Sequence, residues 1–380
     1  MDGKQAEQDF YAEPPANDGI LEPSVQSERR RGRGSVSNAS GRFEPTAKMP
    51  FDDGWKSLEE LPPFKTHVQV EKPRKIISRN ESPDIGFDRS INPYRGCEHG
   101  CIYCYARPTH AYQGLSPGLD FETKLFVKPD AHELLLRELA DAKYEPQMIA
   151  LGTNTDPYQP IERKWQVTRK ILEVLRDTGH PVGIVTKSAL VLRDLDILSE
   201  MAKKNLAKVA LSVTTVDPGL ARAMEPRAAT PQKRLETIRR LSQAGIPTAV
   251  MVAPIIPAIN DAEIERILDA AAAAGASEAG YVMLRMPLEI KDLFREWLRE
   301  HFPDKLDHVI SLVRDLHGGK DYDPTFGKRQ SGTGPYAWSI GRRFELACKR
   351  LGLNQRRNRL TIAHFKRPKR TGSQLDLFAA

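Results

Sequence analysis

The chain has 380 residues, of which 40% are hydrophobic and 28% are charged, and its formal net charge at pH 7 is +7. This length accommodates one α/β barrel with terminal extensions. The sequence has no run of about 18 apolar residues and begins with a polar stretch, so we expect a cytoplasmic protein without a membrane span or a secretory signal.

The N-terminal segment, residues 1–60, is rich in Pro, Ser, Gly, Glu and Arg and lacks sustained periodicity. Such a composition offers too little apolar surface to offset the entropy of ordering, so we expect this segment to be disordered. Its four arginines between residues 29 and 33 are either a contact for nucleic acid or a solvated charge run.

Three of the four cysteines lie together at Cys97, Cys101 and Cys104, in the spacing C-x-x-x-C-x-x-C. This spacing lets three thiolates converge on one inorganic centre. A [4Fe–4S] cluster has four irons, so three cysteines would leave one iron open to a non-protein ligand. The alternative is a structural zinc site that adds His99 or His110 to the three cysteines.

Strand and helix patterns alternate after the cysteine loop. The patterns predict strands at 148–151, 182–185, 209–213, 248–252 and 281–284, and helices at 130–139, 161–178, 191–204, 231–244 and 260–275. With a short strand ahead of Asn92, these make six strands of a parallel sheet covered by helices on one side. We expect this α/β unit to occupy residues 61–300. A helical extension follows over residues 301–353, in which Cys348 fits a buried structural position.

Polar side chains follow several of these strands, at the ends where parallel barrels collect reactive groups. Thr155 and Asp156 come after the second strand, and Lys187 comes after the third. Ser212 and Thr214 lie on one face of the fourth strand, which we expect to be the barrel interior. The alternatives are Asx turns around Asp156 and a solvated lysine at a strand end.

Two further features lie near later strand ends. Pro254 and Pro257 lack backbone amides, so we expect the fifth strand to stop pairing there and the chain to turn outward, leaving a wall for adenine. Glu225 and Arg227 form a candidate charged pair, and Arg285 offers another cation after the sixth strand. Each of these charges could equally serve in a simple salt bridge.

Residues 92–104, 155–162 and 254–257 together resemble the radical S-adenosylmethionine (SAM) group known as DNA-repair photolyase-like, which is related to spore photoproduct lyase. The resemblance implies a partial (β/α)6 barrel and a [4Fe–4S] cluster on the three cysteines, with SAM on the open iron. It also implies an electron donor and reductive cleavage of SAM to methionine and a 5′-deoxyadenosyl radical, which abstracts hydrogen from the substrate.

The resemblance further implies a SAM site at the strand ends. By position, its candidate residues are Tyr103 beside the cluster, Thr155 and Asp156 for the amino group, Lys187 for the carboxylate, and Ser212 and Thr214 for the ribose. One departure matters: spore photoproduct lyase uses a cysteine near the end of the second strand as hydrogen donor, and residues 151–156 contain none. We therefore do not expect thymine-dimer reversal by that mechanism, and another modification or repair of nucleic acid remains open.

Residues 354–380 are predicted to form a basic flexible tail. Residues 342–370 hold eleven Lys and Arg against one acid, which indicates a polyanionic partner such as nucleic acid, or else a solvated tail. The chain then reaches a segment that resembles the pentapeptide by which bacterial repair and replication proteins bind the sliding clamp. Its candidate partner-binding residues are Gln374, Leu375, Leu377 and Phe378.

Three hypotheses follow from the sequence. The first is a radical SAM enzyme, lyase-like or of other radical chemistry, that acts on nucleic acid in DNA repair or modification. The second is a radical SAM enzyme that modifies a protein or a small molecule. The third is a non-catalytic, zinc-bearing nucleic-acid adaptor recruited to the clamp.

Overall fold

A computed structural model describes residue 25 and residues 27–44, 62–356 and 358–369. Its strands are β1 (His67–Val70), β2 (Ile77–Arg79), β3 (Arg89–Ile91), β4 (Tyr94–Arg95), β5 (Lys124–Val127), β6 (Ile149–Leu151), β7 (Val182–Thr186), β8 (Ala207–Ser212), β9 (Thr248–Ile255) and β10 (Glu278–Met283). A seven-stranded sheet has the order β10-β9-β8-β7-β6-β3-β2, and a three-stranded sheet has the order β1-β5-β4.

Helices alternate with the strands of the larger sheet. They are α1 (Leu119–Thr123), α2 (Ala131–Leu139), α3 (Glu162–Trp165), α4 (Val167–Asp177), α5 (Leu195–Lys203), α6 (Pro218–Met224), α7 (Pro231–Gln243), α8 (Ile264–Ala273), α9 (Ile290–His301), α10 (Leu306–Leu316) and α11 (Gly334–Arg350). Short 3-10 turns cover Arg107–Gln113, Ala189–Asp194, Asp261–Glu263 and Pro303–Lys305. None of the helices in the described ranges is long and apolar enough to cross a membrane.

Six strands of the larger sheet are parallel, namely β3 and β6 to β10, and β2 joins β3 antiparallel at one edge. The register places Ile91 beside Leu151 and Leu151 beside Ile184, all three fully or almost fully buried. Apolar side chains of α4, such as Ile171 and Leu175, pack on this sheet because they recur on one face of the helix. The predicted partial (β/α)6 barrel is therefore confirmed.

Two predicted helices begin or continue differently in the structure. The helix expected at 161–178 is divided into α3 and α4, because Gln166 has a φ of 51° in the left-handed region and interrupts the helical backbone. The helix expected from 191 starts as the 3-10 turn Ala189–Asp194, which the side chain of Ser188 caps, and becomes α5 at Leu195. In both cases the apolar pattern of the sequence continues across the point where the backbone leaves the α-helical conformation, so the pattern does not reveal that point.

The prediction that β9 stops pairing at its first proline is wrong. The strand continues to Ile255, which pairs with Met283 of β10, and the amide of Leu284 donates to the carbonyl of Ile255 at 2.9 Å. The register shifts between Tyr281 and Met283, so a bulge absorbs the amide that Pro254 lacks. Pro257 lies beyond the strand, as its missing donor requires.

The composition of the N-terminal segment predicts disorder, and this prediction is wrong for residues 27–44. Ser35, Val36 and Ser37 are buried, and the Arg33 guanidinium donates to the carbonyl of Glu122 at 2.9 Å. Arg30 forms a salt bridge with Glu300 at 2.6 Å. Arg30 and Arg33, which the sequence offers as contacts for nucleic acid, therefore join this segment to the barrel.

Residues 358–369 form a strap across the N-terminal ends of the parallel strands, which corrects the prediction of a flexible tail for this part. The amide of Thr361 donates to Asn205 just before β8, and the amide of Lys366 donates to Thr178 ahead of β7. The guanidinium of Arg367 reaches the carbonyl of Tyr144, ahead of β6, at 3.0 Å. The predicted clamp-binding residues 374–378 lie outside the described residues.

Candidate active site

The three-cysteine loop lies between β4 and the 3-10 turn that begins at Arg107, and the smaller sheet holds it. The amide of Cys97 donates to the carbonyl of Phe121 at 2.9 Å. Gly96 has a φ of +70°, and a Cβ added there would lie 2.7 Å from Leu125 and 2.8 Å from the Phe121 carbonyl. The loop can approach β5 this closely because glycine carries no side chain.

The loop brings three thiols together. Cys97 and Cys101 are each 7% exposed and Cys104 is half-buried. Burial raises the pKa of Cys97, and the charges of Asp156, Cys101 and Cys104 raise it further. Burial also raises the pKa of Cys104, while Arg107 and Lys187 oppose this effect. Soft thiolates that are grouped, shielded from water and faced by cations fit the ligands of an iron–sulfur cluster.

The fourth cysteine is separate from this group. Cys348 is buried in α11, where it packs in the core between that helix and the barrel, and burial raises its pKa to about 11. It is a structural residue, as its helical pattern predicted.

The histidines of the zinc alternative have other partners. Nδ1 of His99 lies 3.3 Å from an oxygen of Asp156. Nε2 of His110 lies 2.9 Å from the carbonyl of Lys124, and burial lowers the pKa of His110 to about 4. Across the described part of the chain, no three His, Cys, Asp or Glu side chains are grouped to hold one metal ion. A cube binds each thiolate through a different iron, so its three cysteines need not meet at one point.

Arg107 and Glu122 form a buried salt bridge that holds the cysteine loop in place. The Arg107 guanidinium donates to the carbonyl of Cys101 at 2.9 Å and to Glu122 at 2.5 Å. The same carboxylate accepts the amides of Gly34 and Ser35, each at 2.9 Å. Sequence analysis missed this pair because nothing local distinguishes either residue from a surface charge.

Asp156 is fully engaged by the protein. One carboxylate oxygen accepts the Tyr158 amide at 2.8 Å and the Thr186 hydroxyl at 2.7 Å, and the other accepts the Lys187 amide at 2.8 Å. Burial alone would raise the pKa of Asp156, but His99, the Lys187 amide and the Thr186 hydroxyl hold it at about 2. With His99 as fourth partner, about four lone-pair positions are filled, so Asp156 orders the strand ends and does not offer a free acceptor.

Four of the predicted SAM residues meet at the mouth of the barrel. Nζ of Lys187 donates to the Ser212 hydroxyl at 2.8 Å and lies 5.6 Å from the centre of the Tyr103 ring. The hydroxyls of Tyr103 and Thr214 lie 3.2 Å apart. Lys187 has no carboxylate within 4.0 Å in the described part of the structure, so its charge is available to a ligand. The hydroxyl of Thr155 points away from this group, to the carbonyl of Tyr94 at 3.2 Å.

A buried Glu225 organises the group. It accepts hydrogen bonds from the Tyr103 hydroxyl, from Thr214 at 2.7 Å and from the guanidinium of Arg234. The expected pairing of Glu225 with Arg227 is wrong, since Arg227 lies 3.3 Å from Glu98 instead. Neighbours in sequence separate here because the chain turns between α6 and α7.

Known proteins share this sequence and fold. The sequence model of the radical SAM superfamily matches residues 91–271. An uncharacterized protein of Mycobacterium bovis is 37% identical over 291 residues, which cover 73% of this chain and 84% of that protein. A relative in Pseudomonas phage M6, named radical SAM Nalpha-GlyT isomerase, is 25% identical over 199 residues, covering 50% of this chain and 39% of the relative.

Among solved structures, spore photoproduct lyase complexed with dinucleoside spore photoproduct has a similar fold, with a TM-score of 0.53. The sequence identity is 16%, and the match covers 75% of this chain and 80% of that one. The region that matches the superfamily, residues 91–271, contains the cysteine loop and the strand ends that carry Lys187 and Ser212. The chain therefore belongs to the radical SAM superfamily and is a radical SAM enzyme.

Proposed function

We propose that this enzyme binds a [4Fe–4S] cluster through Cys97, Cys101 and Cys104, cleaves SAM reductively and acts on nucleic acid. The observation that carries the proposal is the ammonium of Lys187, which has no carboxylate partner among the described residues and is held by Ser212 near Cys101 and Cys104. A cation without a counterion at a barrel mouth is placed to receive a carboxylate, and SAM carries one.

The chain's own residues supply binding and shielding. Lys187 would hold the SAM carboxylate, and the hydroxyls of Ser212 and Thr214 would contact its ribose. Tyr103 closes the space beside Lys187, with its ring 5.6 Å from the ammonium. When bound, the cluster and SAM supply a 5′-deoxyadenosyl radical that abstracts hydrogen, and the protein's task is to position the substrate and exclude water.

Two observations support nucleic acid as the substrate. The fold is similar to that of an enzyme whose solved complex holds a dinucleoside photoproduct. The strap and the end of α11 also concentrate basic residues, and Arg359, Lys366 and Lys369 are exposed. These residues lie at the N-terminal ends of the strands, on the face opposite the thiols, so they would contact a long polyanion away from the reacting group.

The cofactor proposal predicts a difference among the four cysteines. After anaerobic reconstitution with iron, sulfide, SAM and a reductant, the wild type should form 5′-deoxyadenosine. Replacing Cys97, Cys101 or Cys104 by Ser should abolish this product and lower the iron content, because each variant removes a cluster ligand. The matched control Cys348→Ser should retain both.

Two results would contradict this prediction: a wild type that forms no 5′-deoxyadenosine with any reductant, or a wild type that contains one zinc and no iron. The substrate is tested separately by adding DNA. Faster SAM cleavage and a changed DNA mass are expected. An unchanged rate and unchanged mass would favour modification of a protein or a small molecule. Clamp binding through residues 374–378 stays a prediction, as does the electron donor.

A further inference from the structure

Beyond the end of β10, a second cation at the mouth has no carboxylate partner among the described residues. Arg285 follows β10, and its guanidinium carbon lies 5.0 Å from the centre of the Tyr105 ring and 5.7 Å from the centre of the Tyr322 ring. Nη2 of Arg285 donates to the Tyr322 hydroxyl at 3.0 Å. Its buried Nε has no hydrogen-bond partner, and within the described residues Arg285 forms no salt bridge.

Tyr105 connects this cation to the cysteine loop. It follows Cys104 directly, and its hydroxyl donates to the carbonyl of Thr153 in the loop after β6. Since β6 and β10 are separated by three strands in the sheet order, Tyr105 reaches across the mouth to Arg285. Tyr105 is nevertheless 46% exposed, so the residue remains accessible to a ligand.

Residues 317–333 hold the other tyrosine in place. The carbonyl of Gln330 accepts the amide of Met283 in β10 at 2.8 Å, and Arg329 makes two hydrogen bonds to Asp84 at 2.6 and 2.7 Å. Asp84 lies in the loop between β2 and β3, at the opposite edge of the sheet. This segment therefore bridges the two edges of the open barrel and presents Tyr322 to Arg285 from a fixed position.

The geometry selects a class of ligand. Arg285 packs on two aromatic rings and gives one N–H group of Nη2 to Tyr322, so in the described structure its Nη1 has no protein acceptor and can donate to a phosphate oxygen. An exposed tyrosine ring beside it can stack on a planar base. We propose that Arg285, Tyr105 and Tyr322 form the substrate-recognition wall of the mouth and bind one nucleotide of a nucleic acid, with Arg285 on its phosphate. The inference rests on the proposed function, whose substrate class it specifies.

Binding of a fluorescently labelled trithymidylate to the reconstituted enzyme, followed by fluorescence anisotropy, tests this wall. The probe is too short to contact the mouth and the basic strap together. Arg285→Gln should weaken binding by about tenfold or more, since it removes a charge-assisted hydrogen bond. It should also lower the slope of log K against log salt by about one, the change expected for one phosphate contact. Arg285→Lys should restore the salt slope but not the full affinity.

The matched control is Arg240→Gln, because Arg240 is an exposed arginine on α7, and this variant should bind as the wild type does. Tyr105→Leu should weaken binding, whereas Tyr105→Phe, which keeps the ring, should weaken it less. Equal affinities and salt slopes for the wild type and Arg285→Gln would overturn the proposal, and so would a wild type that binds an acidic peptide but no trithymidylate. Failure of the proposed function appears separately, as the absence of 5′-deoxyadenosine from the wild type.

Discussion

At the scale of single residues, the mouth of the barrel contains two kinds of charged side chain: some are bonded within the protein, and others remain available to a ligand. Asp156 and Glu225 each accept at least three donors from the protein. Lys187 and Arg285 donate only to a hydroxyl of the protein and keep their charges unpaired in the described structure. Buried or half-buried cations without counterions cost free energy, so their presence indicates ligand binding.

Lys187→Met tests the first of these cations. The substitution keeps the length of the side chain and removes its charge, so SAM should lose its carboxylate partner and bind about tenfold more weakly or worse. Equilibrium dialysis of SAM against the reconstituted enzyme measures the change. Lys203→Met, at an exposed lysine on α5, is the control. Unchanged SAM affinity in Lys187→Met would show that another group holds the carboxylate.

At the scale of elements, the loop that follows β6 depends on one glycine. Gly152 has a φ of +91°, and a Cβ added there would lie 2.0 Å from the carbonyl oxygen of Val185 in β7. That oxygen belongs to the backbone of a parallel strand and cannot move without loss of sheet pairing. The close approach sets the path of the residues that lead to Asp156.

Gly152→Ala should therefore lower the free energy of unfolding by about 3 kcal/mol or more, from the clash and the left-handed backbone together. Chemical denaturation measures this change. Gly86→Ala is the matched control, because Gly86 has open space around its Cα and no positive φ. If both variants unfold at the wild-type denaturant concentration, the loop relaxes more readily than the contact implies.

At the scale of the whole molecule, the two terminal segments bind the barrel from different sides. Residues 27–44 share Glu122 with the cysteine loop, whereas the strap of residues 358–369 covers the N-terminal ends of the strands. Beneath the strap, the ring of Phe365 packs edge-on against His180 with 5.5 Å between centroids, and His180 accepts or donates a 2.8 Å hydrogen bond with Tyr144. Deletion of the tail from residue 354 would thus remove a structural contact as well as charge.

His180 gives this contact a dependence on pH. Burial lowers the pKa of His180 from 6.5 to about 4, so the unfolded chain takes up a proton at a higher pH than the folded chain does. Its contribution is fully present above pH 6.5 and is lost as the pH falls toward 4. Between pH 7 and pH 5 the loss should be about 2 kcal/mol.

Urea denaturation at the two pH values tests this expectation. His180→Gln should lose stability at pH 7 but should show a smaller further decrease at pH 5 than the wild type. His308→Gln, at an exposed histidine of α10, should keep the wild-type dependence. An identical pH dependence in His180→Gln and the wild type would mean that other groups, such as His110, account for it.

The sequence alone determined the class of fold and the superfamily of this protein. Alternating strand and helix patterns predict parallel pairing because both signals are local, and the spacing of Cys97, Cys101 and Cys104 is a property of one short segment. The local patterns also predict that Lys187, Ser212 and Thr214 lie at one edge, because parallel strands bring their carboxyl ends together.

Only the tertiary structure decided which charged side chains are paired within the protein and which remain available to a ligand. Glu225 pairs with Arg234 and not with the nearby Arg227, Asp156 is saturated by His99 and two strand ends, and Arg285 lies between Tyr105 and Tyr322. Tertiary contacts likewise ordered residues 27–44 and the strap, whose compositions predict disorder. These contacts join residues far apart in the chain, and their energies depend on burial and distance, which are properties of the folded chain and not of any one segment.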